Sequence, residues 1–568
     1  MAARGLFADR VHADEEGDED DEHPVAFSQM ANQRSDVFAA HMRDHSRVPR
    51  LPNGTNETTE LPPLSAAPPR RHGKLVNDTI HGLMRIDPNA LAIVDTPEFQ
   101  RLRDLKQLGL SHYVYPCASH SRFEHSLGTY ALADGWVTHF QQCQPELGIG
   151  RKERTLVTLA GLCHDLGHGP FSHLWDNEVL PRLRELGRID ADREWSHEWM
   201  SCELLEHLFD ENGLEDRLAL DSRDGLVRAD LRAIEELISI DKRDYDSAGR
   251  YHGRHSGRPQ LQLGGKMYLY EIVANGRNSV DIDKFDYLLR DGRACSVQPN
   301  FDHRRLMQLS KVINNKICFK GSEVYTLYNM FNTRANLHQV VYTHAKAKAI
   351  EFMVTDALVA ADRHYRFNEL IWEPARFKTI DDTLLKRIEW STDDDLAQAR
   401  AIVSRLRRRD LYKFAGEVTV PDHMHASWAR VRPADIVSKA PSGSALRECD
   451  VIVDNKEINY SMKSKDPVSN VDFFDNLDST SAAPLGAEKV SAILPRVFQD
   501  KKVRLFVRDA AKLADAQAAL NSFAKSRQCT SPIGNTPVKR ARADEGGGPH
   551  SASRARALPG LTIDERDR

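Results

Sequence analysis

The chain of 568 residues contains no apolar run near the ~18–20 residues that a membrane-spanning helix requires. It has no CxxC pair, because its eight cysteines, at 117, 143, 163, 202, 295, 318, 449 and 529, are scattered. That excludes a disulfide scaffold and a zinc ribbon and fits a reducing cytosol or nucleus. The N-terminal stretch MAARGLFADRVHADEEGDEDDEHP lacks the apolar core of a signal peptide and turns acidic early. Apolar residues make up 40% of the chain, below the usual ~45–50%, so some segments are expected to stay solvated while the rest buries a sizeable core. The net charge of −5 excludes little, since local charge is uneven. Histidine is abundant instead: there are 24, and eight of them lie between His112 and His197.

The length allows roughly three or four domains, or one large domain with appendages. Residues 1–70 combine an acidic run, Asp14–Glu22, with a Pro-rich stretch and have no periodic apolar face, which predicts disorder. From about residue 71 to 415, segments such as HSLGTYALADGWVTHFQQC, KERTLVTLAGLCHDLGH and AIEFMVTDALVAADRHY place apolar residues at three- and four-residue spacing, as amphipathic helices do. Residues 416–525 change texture. GEVTV, CDVIVD, INYSM and KKVRLFVRD read as short strands, and LADAQAALNSFAK reads as a helix. Residues 526–568 are polar, Gly-rich and basic, and are expected to be a disordered tail. The predicted fold is mainly α: a large helical core, a smaller α+β C-terminal lobe and disordered termini.

The strongest chemical signal is HDLGHGPFSH, from His164 to His173. Adjacent helical side chains diverge by about 100°, so His164 and Asp165 reach one metal ion only near a helix end or kink, which Gly169-Pro170 is expected to supply. His164 and His168, four apart, are expected to share a face. Upstream, SRFEHSLGTY sets His125 among apolar helix residues, and downstream, SVDIDKFDYLLRD offers Asp281, Asp283 and Asp286. Imidazole and carboxylate ligands together suit Mn, Fe, Zn or Mg-type ions. A lone histidine such as His112 or His139 reads as an ordinary core or capping residue. Burying several imidazoles and carboxylates together is costly unless a metal or hydrogen bonds satisfy them.

The order His125…His164-Asp165…Asp283 is that of the HD-domain phosphohydrolases. NDTIHGLMRI, DTPEFQRLR, SRFEHSLG, AGLCHDLGHGPFSH, DIDKFDYLLRD and TRANLHQVVYTHAKA, in this sequence order, resemble the SAM-and-HD-domain deoxynucleoside triphosphate triphosphohydrolases. The likeness runs over about residues 74–525, and residues 1–70 are too short and polar for a SAM domain. The resemblance implies that His125, His164, Asp165 and Asp283 ligate one transition-metal ion (Fe, Mn or Zn), with Mg2+ accompanying the triphosphate. It implies attack at the α-phosphorus of a dNTP, releasing deoxynucleoside and triphosphate. His173 is then the first candidate for the general acid, oriented by Asp176, with His168, His197 and Glu198 completing the acid–base cluster. Arg122, Lys284 and Arg334 match positions that neutralise the triphosphate. Gln107, Leu108, Tyr287, Asp291 and Tyr342 match the sugar pocket, with Tyr342 crowding the 2′ position, and His338 matches a further substrate-binding position.

The family is activated by guanine nucleotide (GTP or dGTP) and dNTP bound between subunits of a homotetramer. The guanine site matches at Lys74, Leu75, Asn77, Asp95, Gln100 and Arg103, although Asp95 with Pro97 also reads as a helix start. The dNTP-effector site matches at Val114, Arg305, Lys320, His344, Arg409 and Lys413. Ser322 and Ala345 stand where the family has lysines, and Thr343 replaces a glutamine. In the tail, Thr536-Pro537-Val538-Lys539 has the form of a cyclin-dependent kinase site, and Lys539-Arg540-Ala541-Arg542 that of a nuclear import signal, which weights a nuclear location over a cytoplasmic one. Two other readings compete. Another HD-type phosphodiesterase would not need the pocket of Gln107, Arg334 and Tyr342. A single-stranded nucleic-acid-binding protein would draw on the basic run Arg405–Arg409 and the tail, but no series of stacking aromatics accompanies them.

Overall fold

The computed structural model describes residues 73–190, 193–215, 226–240, 261–462, 464–486 and 497–530. They fall within one compact unit. Of the segments expected to be disordered, 1–70 and 531–568, with Thr536 and the basic tail motif, lie outside the described residues; the expected tail begins at 526, but Ser526 ends a helix and Thr530 pairs with Thr419.

The fold is mainly helical. Helix α1 (Arg122–Cys143) opens with a capping box of Ser121 and Glu124 and is buried on most of its faces, which makes it the central element. Helix α2 (Arg151–Cys163) packs along it and buries an unbroken run from Leu156 to Cys163. Around this pair lie α3 (His197–Glu211), α4 (Arg228–Ile238), α5 (Met267–Val273) and α6 (Ile282–Ala294). Next come α7 (Val324–Leu337), α8 (Ala345–Tyr365) and α9 (Ala397–Arg407). One hydrophobic core runs through all of them, with Trp136, Trp175, Phe140, Phe285 and Phe331 fully buried.

Strands appear earlier than periodicity suggests. A hairpin of β1 (Lys74–Asp78) and β2 (Gly82–Ile86) precedes the helices, and its alternation is too short to stand out. Strands β3 (Ser310–Ile313) and β4 (Lys316–Lys320) form a second hairpin, which β4 extends by parallel pairing with β7 (Asp472–Phe474), and β8 (Ala483–Pro484) completes this sheet. The sheet therefore joins the helical body to residues beyond 416. A three-stranded antiparallel sheet holds β5 (Lys413–Thr419), β6 (Val451–Asn459) and β9 (Gln499–Val507), with β9 in the middle. The separate runs CDVIVD and INYSM merge into β6 up to Asn459. Helix α10 (Leu513–Ser526) packs on this sheet over a second apolar core that includes Val418, Leu505 and Phe523.

Candidate active site: a histidine–aspartate cleft

Helix α2 ends at Cys163, so His164 is its C-cap and Asp165 already lies outside it. The helix end comes earlier than Gly169-Pro170, and it is what lets the two adjacent side chains converge. His164 and His168 do not share a helix face; His168 Nε2 lies 3.3 Å from Asp165 Oδ1 instead. Gly167 permits this turn, because a Cβ there would sit 2.2 Å from the His197 carbonyl oxygen and 2.3 Å from the Ser201 nitrogen.

Four expected ligands meet. His125 Nε2 lies 3.2 Å from His164 Nε2, 3.3 Å from Asp165 Oδ2 and 3.2 Å from Asp283 Oδ1. His164 Nε2 lies 3.6 Å from Asp283 Oδ1. Each imidazole spends its other nitrogen on an acceptor: His125 Nδ1 on Asp286 Oδ2 at 2.7 Å and His164 Nδ1 on the Gly161 carbonyl at 2.9 Å. With Nδ1 as donor, both Nε2 lone pairs point into the shared space, as ligation requires. The donor set of two imidazoles and two carboxylates fits a divalent transition metal. Without an ion, burial opposes the His125 imidazolium, but Asp283 and Asp286 outweigh it and raise its pKa to about 10. Burial likewise opposes charge on Asp165, yet the Arg122 guanidinium and the histidines hold it ionised well below the usual carboxylate range.

His164, Asp165 and Asp283 line a cleft of about 1680 Å³, together with Gln107, Leu108, Arg122, His168, His173, His197, Glu198, Lys284, Tyr287, Asp291, Arg334, His338 and Tyr342. Two π-helical segments, Trp175–Val179 and His338–Tyr342, carry Asp176 and the pair His338 and Tyr342. Such widened turns re-aim side chains and recur at functional sites. Lys348 on α8 ties the first segment in place, bonding Glu178 at 2.7 Å and Glu351 at 2.8 Å. Tyr342 donates to Asp291 Oδ2 at 2.7 Å, while His120 Nε2 holds the other oxygen at 2.7 Å. Arg334 donates to the Asn459 carbonyl at 2.7 Å, and Lys284 Nζ reaches Asp281 at 3.0 Å. Several buried atoms at the cleft have no partner, among them Gln107 Oε1, an acceptor, Arg122 Nη2, a donor, and His168 Nδ1 and Asp176 Oδ1.

Asp176, expected to orient His173, makes its hydrogen bond to His197. Asp176 Oδ2 lies 2.7 Å from His197 Nδ1 but 4.0 Å from His173 Nδ1. The reason is placement: His197 sits at the start of α3, facing the π segment, and its ring stacks on His168 at 4.0 Å. Burial opposes the His197 imidazolium, but the Asp176 carboxylate prevails and raises its pKa to about 9. His168 goes the other way, because burial and the neighbouring Arg122 and His197 cations push it well below the ordinary imidazole value. The His173 ring is 64% accessible, since it projects into the cleft space, yet the cleft walls and the same two cations lower its pKa too. His173 follows two non-glycine residues in the left-handed region, Phe171 at φ 62° and Ser172 at φ 57°. Asp382 holds that turn by accepting from Phe171 N at 2.6 Å, and it accepts from Lys106 N at 2.9 Å. Arg101 braces the same loop through the Leu166 and His168 carbonyls.

Arg290, His120, Asp382 and Arg101 had no role in the sequence reading, and Asp286 entered it only as a candidate carboxylate, not as the partner of His125. Asp286 and Arg290 were within reach, being three and seven residues after Asp283 on one helix. Asp382 has no local signal, since it acts on residues more than two hundred positions away.

The proposed effector residues lie outside this cleft. Lys74, Leu75 and Asn77 are exposed on β1. Arg103 bonds Gln100 at 2.7 Å and stacks its guanidinium 3.5 Å from the Phe123 ring centre. Asp95 does not cap the helix that follows; it closes the preceding one, and Thr96 is the N-cap. Arg305 is engaged by Glu323 at 2.7 Å. Lys320 ends β4, Lys413 begins β5, His344 caps α8, and Arg409 reaches the Tyr113 carbonyl beside Val114 at 3.4 Å. Within the basic run, Arg405 pairs with Asp410 and Arg407 with Glu389.

A helical scaffold with an H…HD…D ligand set in a polar cleft defines an HD-domain protein, and the HD domain family matches residues 122–263, with the HD associated region matching residues 301–501. The chain is 39% identical over 473 residues, 83% of its length, to the deoxynucleoside triphosphate triphosphohydrolase SAMHD1 homolog of Dictyostelium discoideum, covering 84% of that protein. It is 37% identical to deoxynucleoside triphosphate triphosphohydrolase SAMHD1 of Bos taurus (77% of this chain, 75% of that one) and 35% identical to that of Homo sapiens (81% and 74%). The chain belongs to the SAMHD1 family of HD-domain hydrolases.

Proposed function

We propose that the protein hydrolyses deoxynucleoside triphosphates to deoxynucleoside and triphosphate. The observation that carries this reading is the cleft itself, where the H…HD…D set adjoins a buried guanidinium whose Nη2 has no partner and a buried amide oxygen without one. A phosphate oxygen satisfies the first and a sugar hydroxyl the second, so this pair of groups matches the two ends of a nucleotide's sugar–phosphate unit.

His125, His164, Asp165 and Asp283 would hold the metal. An ion bound there supplies Lewis acidity toward a phosphoryl oxygen and makes water a nucleophile near neutral pH. Arg122, Lys284 and Arg334 bind the triphosphate and spread its charge. Tyr342, locked by Asp291, walls the sugar at C2′ and excludes a ribose hydroxyl. His173, which projects into the cleft, is placed to pass a proton to the departing 5′-oxygen, and the charged Asp176–His197 pair beside it is the reserve that supplies that proton. The guanine-nucleotide and dNTP sites, assembled across a homotetramer, would regulate this chemistry, with Mg2+ accompanying bound triphosphates.

Chromatography of products from dATP, with and without GTP, in Mg2+ and Mn2+, tests the reading. Deoxyadenosine plus triphosphate, appearing with GTP, supports both reaction and regulation. Monophosphate plus pyrophosphate refutes the assigned point of attack. Turnover that ignores GTP refutes the regulatory part.

A further inference from the structure

The β1–β2 hairpin is hydrogen-bonded to the back of the metal site. Asp286, fully buried, uses one oxygen for His125 Nδ1 at 2.7 Å and the other for His81 Nε2 at 2.7 Å. His81 lies in the hairpin turn, and its side chain is only 6% accessible. Arg290 grips Asp286 with two bonds, at 2.8 and 2.9 Å, and reaches the same turn through Asp78 Oδ2 at 2.9 Å. The second Asp78 oxygen shapes the turn by accepting from Ile80 N and His81 N. The packing leaves no slack: a Cβ on Gly128 of α1 would fall 1.9 Å from Asp286 Oδ1.

We propose that His81 is a positioning residue of the metal centre, and that through Asp286 it makes the hairpin turn part of that centre. The reasoning is geometric. A carboxylate held on one side alone can rotate. Asp286 is held by His81 and Arg290 together, so the orientation of His125 depends on where the hairpin turn sits. Groups that orient a ligating imidazole typically change metal affinity 10–100-fold when removed. Strand β1 also carries Lys74 and Asn77, assigned above to the guanine nucleotide. A nucleotide that moves or stiffens β1 therefore changes metal affinity, and the metal changes nucleotide affinity by the same factor. This inference rests on the metal and effector readings above.

The test is titration of the ion-free, full-length protein with Mn2+, following free Mn2+ by electron paramagnetic resonance, with and without GTP. The variants are His81→Leu, which removes the donor, and His81→Gln, which keeps an N–H for Asp286; thermal unfolding of each ion-free protein checks folding. The expected result is Mn2+ affinity reduced about tenfold or more in His81→Leu, largely restored in His81→Gln, and GTP tightening Mn2+ in the wild type but not in His81→Leu. A folded His81→Leu that binds Mn2+ like wild type overturns the proposal while leaving the metal reading intact. GTP that activates turnover without changing wild-type Mn2+ affinity overturns the hairpin linkage. A wild type that binds no Mn2+ overturns the metal reading and the relay together.

Discussion

The candidate catalytic cleft and the proposed effector sites are built differently. In the cleft the central charged side chains are paired with one another inside the same chain: His125 has Asp286, Asp165 has Arg122, His197 has Asp176 and Asp291 has Tyr342 and His120. The effector residues are spread over β1, the segment around Arg103, and the ends of β4, β5 and α8, and Lys74, Leu75 and Asn77 are exposed. A preorganised site does chemistry without rearrangement. A dispersed, exposed set waits for something to bring it together, which suits a site completed by neighbouring subunits. Arg290 and His81 span the two regions, joining the hairpin to the metal ligands.

Asp165→Ala is expected to have the largest effect. It deletes a ligand and the anion that Arg122 faces, so measurable dNTP turnover should vanish while circular dichroism stays native. Retained turnover breaks the contrast, because the cleft would then tolerate loss of a central group. Asp176→Asn comes next. It removes the carboxylate that raises His197 to about 9, and kcat should fall by about 10²–10⁴, the usual reach of acid–base catalysis. The sign follows from the raised pKa. The Asp176–His197 pair contributes fully below the ordinary imidazole value and is lost as pH rises through about 9. The alkaline limb of kcat/KM should therefore lie near 9 in the wild type and move to lower pH in Asp176→Asn. An unmoved limb would remove His197 from the proton path.

Gly109→Ala probes the turn before His173. Gly109 has φ +47°, and a Cβ would lie 2.5 Å from the Phe171 carbonyl oxygen. We expect a lower melting temperature and a reduced kcat with little change in KM; a change in KM alone would show that the turn serves binding. The smallest effect belongs to the effector side. Ser322→Lys combined with Ala345→Lys should lower the dNTP concentration for half-maximal activation several-fold, read from activity against dATP at fixed GTP. No shift would remove these positions from the effector site.

Much of the scaffold was legible because helical periodicity over 122–365 is long and strong, and the C-terminal strands are β-branched and punctuated. The β1–β2 hairpin was not, since five-residue strands are indistinguishable from loop when read alone. In the site, the ligand types and their order stood out as motif residues. The partners of those residues did not. That Asp176 turns to His197 and not to His173 depends on where α3 begins relative to the π segment, a tertiary fact. Asp382 and His81 act across distances at which sequence spacing carries no information.

The most direct measurement is hydrolysis of dGTP in water labelled with heavy oxygen, followed by mass spectrometry of both products. The account predicts label on the triphosphate and none on deoxyguanosine, as attack at the α-phosphorus requires. Label on the deoxynucleoside, or release of monophosphate and pyrophosphate, would contradict it.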